Sequence, residues 1–382
     1  MSSAKKSENR PVPSMQRLAL EFIQPGMMLA RDIYDEGGTI MVSAGAILTD
    51  RLLSRLRNWE IRSAVIQNPR ITLPEIPAAL QEKVRNQARL MVEHAFNKIR
   101  RAEQFSMSNE EQKIVHAVVE EATQDPLAVL NMAHIQRNSR DILTHSVNVA
   151  LLATATGLAM GISSAKTLQE LALSALLHDI GLLMIPQDLL ARKGSLKPEE
   201  AAIYREHSNW GELILQQSAL PESVSRVARE HHENADGTGF PNQLSCDALH
   251  PFSRIVAAVN AYENFCASLT ESNGSRAYLA YESIMAGAGT LFDLKVTKAL
   301  LARLPMYPPG SLVELTNGLI GVVVSASQAM PHRPSLKILA QTDETPIAEP
   351  FMLDLADIDQ QTIFVKDVLD DERVARIMTG SK

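Results

Sequence analysis

Five histidines between positions 145 and 232, each with a carboxylate nearby in the sequence, are the residues of this chain best suited to chemistry. Asp141 and His145 in DILTH are four apart, so on a helix they share a face one turn apart and can approach the same ion. In SALLHDIGLLMIP, His178 and Asp179 close an apolar run that Gly181 is expected to terminate, leaving an imidazole and a carboxylate at a helix C-terminal edge. His207 lies in YREHSNWGELIL, inside a helix expected to begin at Pro198 with Glu199 and Glu200 in its first turn. His231 and His232 follow SVSRVARE and precede DGTGFP, a reversal enforced by Gly237, Gly239 and Pro241, so both rings are expected to stand exposed at a helix end. Neutral imidazoles and carboxylates from separate helices suit a divalent cation such as Mn, Fe or Zn, and the lack of thiolates argues against a purely structural zinc. Two such ions about 3.5–4 Å apart can lower the pKa of a bridging hydroxide and clamp a phosphoryl group undergoing in-line attack. The other histidines, His94, His116, His134, His250 and His332, lie in polar or turn contexts and read as solvated.

Composition narrows the partners. The chain has 382 residues, 45% of them hydrophobic, enough for two or three compact units. Its 37 Lys and Arg against 44 Asp and Glu give a net charge of −7, which argues against charge-driven binding to DNA or to an anionic membrane. An anionic ligand therefore needs a local positive source, which bound cations would supply. With only Cys246 and Cys266, no disulfide framework is expected and a reducing, cytoplasmic setting fits. The polar N-terminus, with no apolar h-region, reads as a disordered tail over 1–15 rather than an export signal. Residues 146–165 carry no charge, but their Ser, Asn and Thr side chains and flanking Asp141 and His145 favour a buried core helix over a membrane span.

The elements that must position the histidines follow from periodicity. Residues 16–70 show short apolar runs broken at Pro25-Gly26 and Gly37-Gly38, then a helix from Thr49 and a return strand at SAVIQ: a small α/β module with a regulatory or protein-binding role. Residues 75–125 read as a helical connector with apolar positions such as Leu80, Val84, Ala88, Met91 and Ala95, and a homodimer through it is left open. Residues 126–305 run helix after helix and hold all the chemistry. From 306 to 370, β-branched runs separated by turn residues predict a β-rich appendage whose apolar side chains cover part of the helical domain. The fold class is thus mainly α.

Taken in order, His145, His178-Asp179 in LLHDIG, His207, His231-His232 and the DGTGFP loop resemble the HD-GYP family, a branch of the HD phosphohydrolases, over about 126–300. The resemblance implies an all-helical domain with two or three divalent ions, iron or manganese, that hydrolyses cyclic di-GMP to linear pGpG or to GMP. It implies metal ligation by His145, His178, Asp179, His207, His231 and His232, with catalytic roles for His178 and Asp179. Asp141 stands where three-metal members have a glutamate. Gly237, Gly239 and Pro241 match the signature loop, with Phe240 in place of its tyrosine, and are expected against the nucleotide.

Departures from the pattern count as well. Leu182 replaces the lysine that follows HDIG; single cations or donors of that kind stabilise a transition state by about 3–4 kcal/mol. Asn260 replaces a metal-contacting aspartate and remains only a weak, uncharged ligand. Two divalent ions against Asp141, Asp179 and a hydroxide would keep about one positive charge. Glu263, on the helical face of Asn260, is either a substitute carboxylate or a solvent-facing residue. Arg276 fits the first of two phosphate contacts, Leu279 occupies the second, and Lys193 matches a lysine that is functional or simply solvated. Three readings stay open: a cyclic dinucleotide phosphodiesterase, a degenerate domain that binds a nucleotide or a signalling protein without turnover, and a hydrolase of another phosphoester.

Overall fold

The computed structural model describes residues 12–34, 40–59, 61, 63–73, 78–101, 105–124, 142–190, 196–268, 273–326 and 330–379. Strand β1 (Val12–Ala19) pairs antiparallel with β4 (Ser63–Leu73), and the short β2 (Ile33–Tyr34) pairs with β3 (Ile40–Val42). Between them α1 (Asp50–Asn58) is capped by Thr49, whose Oγ1 accepts from the Leu52 N–H, and buries Leu53 and Leu56. Because β1 starts at Val12, opposite Leu73, residues 12–15 are strand rather than tail. The reason is pairing with a segment some sixty residues on, which local composition does not reveal.

The next helices, α2 (Ala78–Arg100) and α3 (Asn109–Gln124), are not a separate connector. Ala88, Met91, Val92, Ala95, Val115 and Val118 share one apolar core with the histidine-bearing helices. The stripe that suggested a dimer surface is covered by the chain's own core. That core continues through α4 (Ile142–Ala159) and α5 (Ala165–Leu176), a short α6 (Gln187–Leu190), α7 (Pro198–Arg205), α8 (His207–Gln216), α9 (Glu222–Glu230), α10 (Pro251–Ser268), α11 (Asn273–Ala286) and α12 (Leu294–Leu301). Helix α4 is long and apolar enough to cross a membrane, yet 67% of its window is buried inside the protein and every residue from Ser146 to Gly157 is covered.

The C-terminal strands β5 (Leu312–Leu315), β6 (Leu319–Ser325), β7 (Ser335–Gln341), β8 (Pro346–Asp354) and β9 (Val365–Val368) form one antiparallel sheet in the order β8-β7-β6-β5-β9, followed by α13 (Asp371–Thr379). Alternation puts its residues on two faces with different partners. Val313, Leu315, Val323, Leu336 and Ile338 pack with Tyr307 and with Tyr278 of α11, covering the helical domain as expected. Leu312, Ile320, Val322 and Ala340 instead join Leu18, Leu29, Leu48 and Leu56 in a core shared with the N-terminal strands. The Asp371 carboxylate accepts from the Ala19 N–H at 2.8 Å, tying α13 to β1. The two chain ends therefore form one mixed body.

A shared core predicts shared stability. Ile320 is fully buried in it, so Ile320→Ala is expected to cost about 2–5 kcal/mol in urea denaturation. Amide exchange in β1 should accelerate along with that in β6; unchanged protection of β1 would show two independent cores.

Candidate metal centre

Three of the histidines stand immediately after a helix has ended, and each folds its ring back on the last turn. His178 follows α5 and its Nδ1 lies 2.7 Å from the Ala175 carbonyl oxygen. His207 follows α7, with Nδ1 2.6 Å from Tyr204 O, and His231 follows α9, with Nδ1 2.8 Å from Ala228 O. A carbonyl can only accept, so each Nδ1 carries the proton and donates it to a carbonyl in the last helical turn, where intrahelical donors run out. This fixes the tautomer: the Nε2 atoms are left to face inward.

They face one carboxylate. Asp179 Oδ1 lies 3.4 Å from His231 Nε2 and 3.6 Å from His207 Nε2, and these two nitrogens are 3.3 Å apart. Asp179 Oδ2 lies 3.3 Å from His178 Nε2 and 3.8 Å from His145 Nε2. Asp179, His207, His231 and His232 form one group of convergent donor atoms and His145, His178 and Asp179 a second, with Asp179 common to both. Burial pushes His231 down to about 4 and also lowers His207 and His232, so all three are neutral at neutral pH. Burial would lower His178 too, but the adjacent Asp179 charge carries it above the ordinary value; burial likewise opposes ionisation of Asp179, yet His178 and His231 hold it well below. Two neutral imidazoles presenting lone pairs to each other and to a carboxylate oxygen repel unless a cation lies between them. His178 Nε2 is fully buried and makes no hydrogen bond. Its lone pair, the two opposed nitrogens and the shared carboxylate fit a pair of divalent ions.

Several local expectations are corrected. His207 opens α8, after a break at Glu206, rather than lying inside the Pro198 helix. His231 is 1% exposed rather than standing in solvent, because its ring packs against those of His178 and His207. Gly181 does not end a helix. It lies in a 3-10 turn (Ile180–Met184) where a Cβ would overlap the His207 carbonyl and come within 2.5 Å of Gly211 N, so its role is close backbone approach beneath His207. Gly239 is likewise pressed on the backbone of His232, Glu233 and Asn234, while Gly237 turns at φ +80. The loop glycines thus serve the chain's own packing. Sequence reasoning missed the loop's anchor, the buried Glu233, whose two carboxylate oxygens accept from the N–H groups of Asn242 and Leu244. The only signal was its place beside the histidine doublet. His94 and His332 are exposed, but His250 is partly buried and its Nδ1 accepts from the Phe252 N–H at the start of α10.

Residues 121–296 match the HD domain family and residues 312–377 a KOW domain associated with HD domains. The cyclic di-GMP phosphodiesterase PdeB of Borreliella burgdorferi is 30% identical over 197 residues, 52% of this chain and 52% of its own length. The cyclic di-GMP phosphodiesterase PA4108 of Pseudomonas aeruginosa is 26% identical over 279 residues, 70% of this chain and 67% of its own. The 3'3'-cGAMP-specific phosphodiesterase 2 of Vibrio cholerae is 29% identical over 176 residues, 45% of this chain and 34% of its own. Residues 121–296 are thus similar to the HD domain, and the relatives that align with the chain include cyclic di-GMP phosphodiesterases. The chain spans about half the length of the Borreliella relative.

In this HD-like domain the departures from the HD-GYP pattern have structural counterparts. Leu182 is 4% exposed and packs with Ile185, Leu189 and Tyr204, so an apolar patch occupies the position expected of a lysine. Asn260 is at the centre: its Oδ1 lies 3.0 Å from His145 Nε2 and accepts from Asn264 Nδ2 at 2.8 Å. Glu263 fits neither of its expected roles. It is 2% exposed, stands outside both donor groups, and accepts from Asn148 Nδ2 at 2.6 Å, while Asn148 Oδ1 accepts from Arg85. Asp141 and Lys193 lie outside the described residues, as does His134; the Arg276 side chain does too, and Leu279 is partly buried.

Asp179→Asn keeps the shape but removes the charge common to both donor groups. Divalent-ion affinity is expected to fall more than about 100-fold, beyond the loss that follows removal of an outer partner, as read by metal analysis after dialysis. Gly181→Ala forces the 3-10 turn off His207, and should cost at least about 1–3 kcal/mol in urea denaturation while lowering metal content.

Proposed function

We propose that this chain is a metal-dependent phosphodiesterase that hydrolyses cyclic di-GMP to linear pGpG, GMP or both. The observation that carries the reading is the facing pair His207 Nε2 and His231 Nε2, 3.3 Å apart beside Asp179 Oδ1, a donor set that is repulsive until a cation enters. The names of the relatives, acting on cyclic di-GMP or on 3'3'-cGAMP, support a cyclic dinucleotide as the substrate class. In this reading His145, His178 and Asp179 would hold one ion and Asp179, His207, His231 and His232 the other, with iron or manganese suited to the nitrogen and oxygen donors. Bound ions supply Lewis-acid activation of water and charge neutralisation at phosphorus.

The chain's own residues do the rest. The backbone carbonyls of Ala175, Tyr204 and Ala228 hold the imidazoles in the ligating tautomer, and Asp179 keeps the negative charge common to both donor groups. Phe240 stacks on His232 at 4.6 Å and 19°, giving an aromatic face at the rim of the cluster. A cytoplasmic setting belongs to this reading, in keeping with the two cysteines, Cys246 and Cys266, both free.

Protein loaded anaerobically with Fe(II) or Mn(II) is expected to hold at least two ions and to open cyclic di-GMP, followed by chromatography of the products. Asn260→Asp returns a carboxylate between His145 and Asn264, and is expected to raise both metal content and rate by about tenfold or more. Less than one ion bound with no turnover, unchanged in Asn260→Asp, would instead identify a domain that binds nucleotide or a protein partner without hydrolysis.

A further inference from the structure

The positions at which a second cation is expected near the phosphate are apolar in this chain: Leu182 is buried in its patch and Leu279 is partly buried. One cation does stand at the rim. Arg205, the last residue of α7 and two positions before His207, places its guanidinium carbon 5.4 Å from the centroid of the Phe240 ring. Phe240 in turn stacks on His232 and meets His207 edge-on at 6.4 Å. The guanidinium is therefore one ring removed from the ligating imidazoles. Among the described residues no carboxylate pairs with it, and the neighbouring Glu206 is turned to Asn209 Nδ2 at 3.0 Å. A ring face fixes a guanidinium without cancelling its charge or using its in-plane N–H donors, which stay available for a bidentate contact with an anion.

A cyclic dinucleotide carries two phosphodiesters separated by the sugars of its ring, so only one can lie at the donor cluster. The other emerges at the rim, where a protein of net charge −7 must supply its own cation. We propose that Arg205, positioned by Phe240, binds the second, non-reacting phosphodiester of the cyclic dinucleotide. This rests on the phosphodiesterase reading above.

The test uses the full-length, metal-loaded protein and two diesters: cyclic di-GMP, with two phosphates, and bis(p-nitrophenyl) phosphate, with one. In Arg205→Ala, cyclic di-GMP binding by titration calorimetry and its KM should weaken by about tenfold, as expected for one charge-assisted contact. Hydrolysis of bis(p-nitrophenyl) phosphate and metal content should stay within about twofold. Arg205→Lys should fall between. If the wild type binds cyclic di-GMP and Arg205→Ala matches it, the inference fails while the phosphodiesterase reading stands. If both diesters suffer equally, Arg205 acts elsewhere and the inference fails as well. A wild type that neither binds nor cleaves cyclic di-GMP overturns the substrate reading and this inference together.

Discussion

Two imidazole lone pairs pointed at each other across 3.3 Å, with a carboxylate oxygen beside them, are the constraint on which the helical domain depends. Such an arrangement persists only if the surrounding structure over-determines it. Here the over-determination is local: His178, His207 and His231 each donate Nδ1–H to a carbonyl in the last turn of the helix they follow. Helix ends leave carbonyls in need of donors, and imidazoles meet that need while turning their other nitrogen away from the helix. Three helices therefore have to stop at one point. Their backbones meet closely enough only because Gly181 packs on His207 and Gly239 on the chain beside His232.

Burial completes the device. An exposed cluster of imidazoles would protonate near neutral pH and reject a cation; burial holds His207, His231 and His232 neutral, and Asp179 sets its negative charge against them. The same interior pairs polar groups of different helices. His145 of α4 meets Asn260 of α10, and one turn further along both helices Asn148 meets Glu263, backed by Arg85 of α2. Helix α2 is thereby part of the site's support, reached from the N-terminal strands that share a core with the C-terminal sheet. A buried pair whose members come from different helices fixes the register of those helices.

How far this was legible in the sequence depends on the range of the interaction. The order of the histidines and Asp179, the uncharged run of α4 and the helix start at Thr49 are local patterns, and local patterns can be read. The paired roles of Asn148 and Glu263 could not, because each is satisfied by a residue more than a hundred positions away. Gly181 looked like a helix stop because that is what glycine does locally, whereas its actual task is contact with a helix that begins at His207. The shared core of the two chain ends was hidden for the same reason: Leu18 and Ile320 are each ordinary strand residues until the fold brings them together. His231 was read as exposed since a glycine loop follows it, and only the Glu233 anchor shows that this loop turns inward.

The departures from the family pattern gain a common sense when charge is followed through space. Leu182 extends an apolar patch with Ile185 and Leu189, and Asn260 offers an amide dipole where a carboxylate would neutralise the ions. One change withdraws positive charge from the interior and the other withdraws negative charge. Their effects on net charge therefore oppose, and a centre with one fewer carboxylate has less need of a buried ammonium beside it. What an amide and a leucine together cannot supply is attraction for anionic groups lying outside the cluster. A guanidinium held on an aromatic face at the rim meets that need at lower desolvation cost than an interior lysine, since its donors remain in contact with water until the ligand arrives.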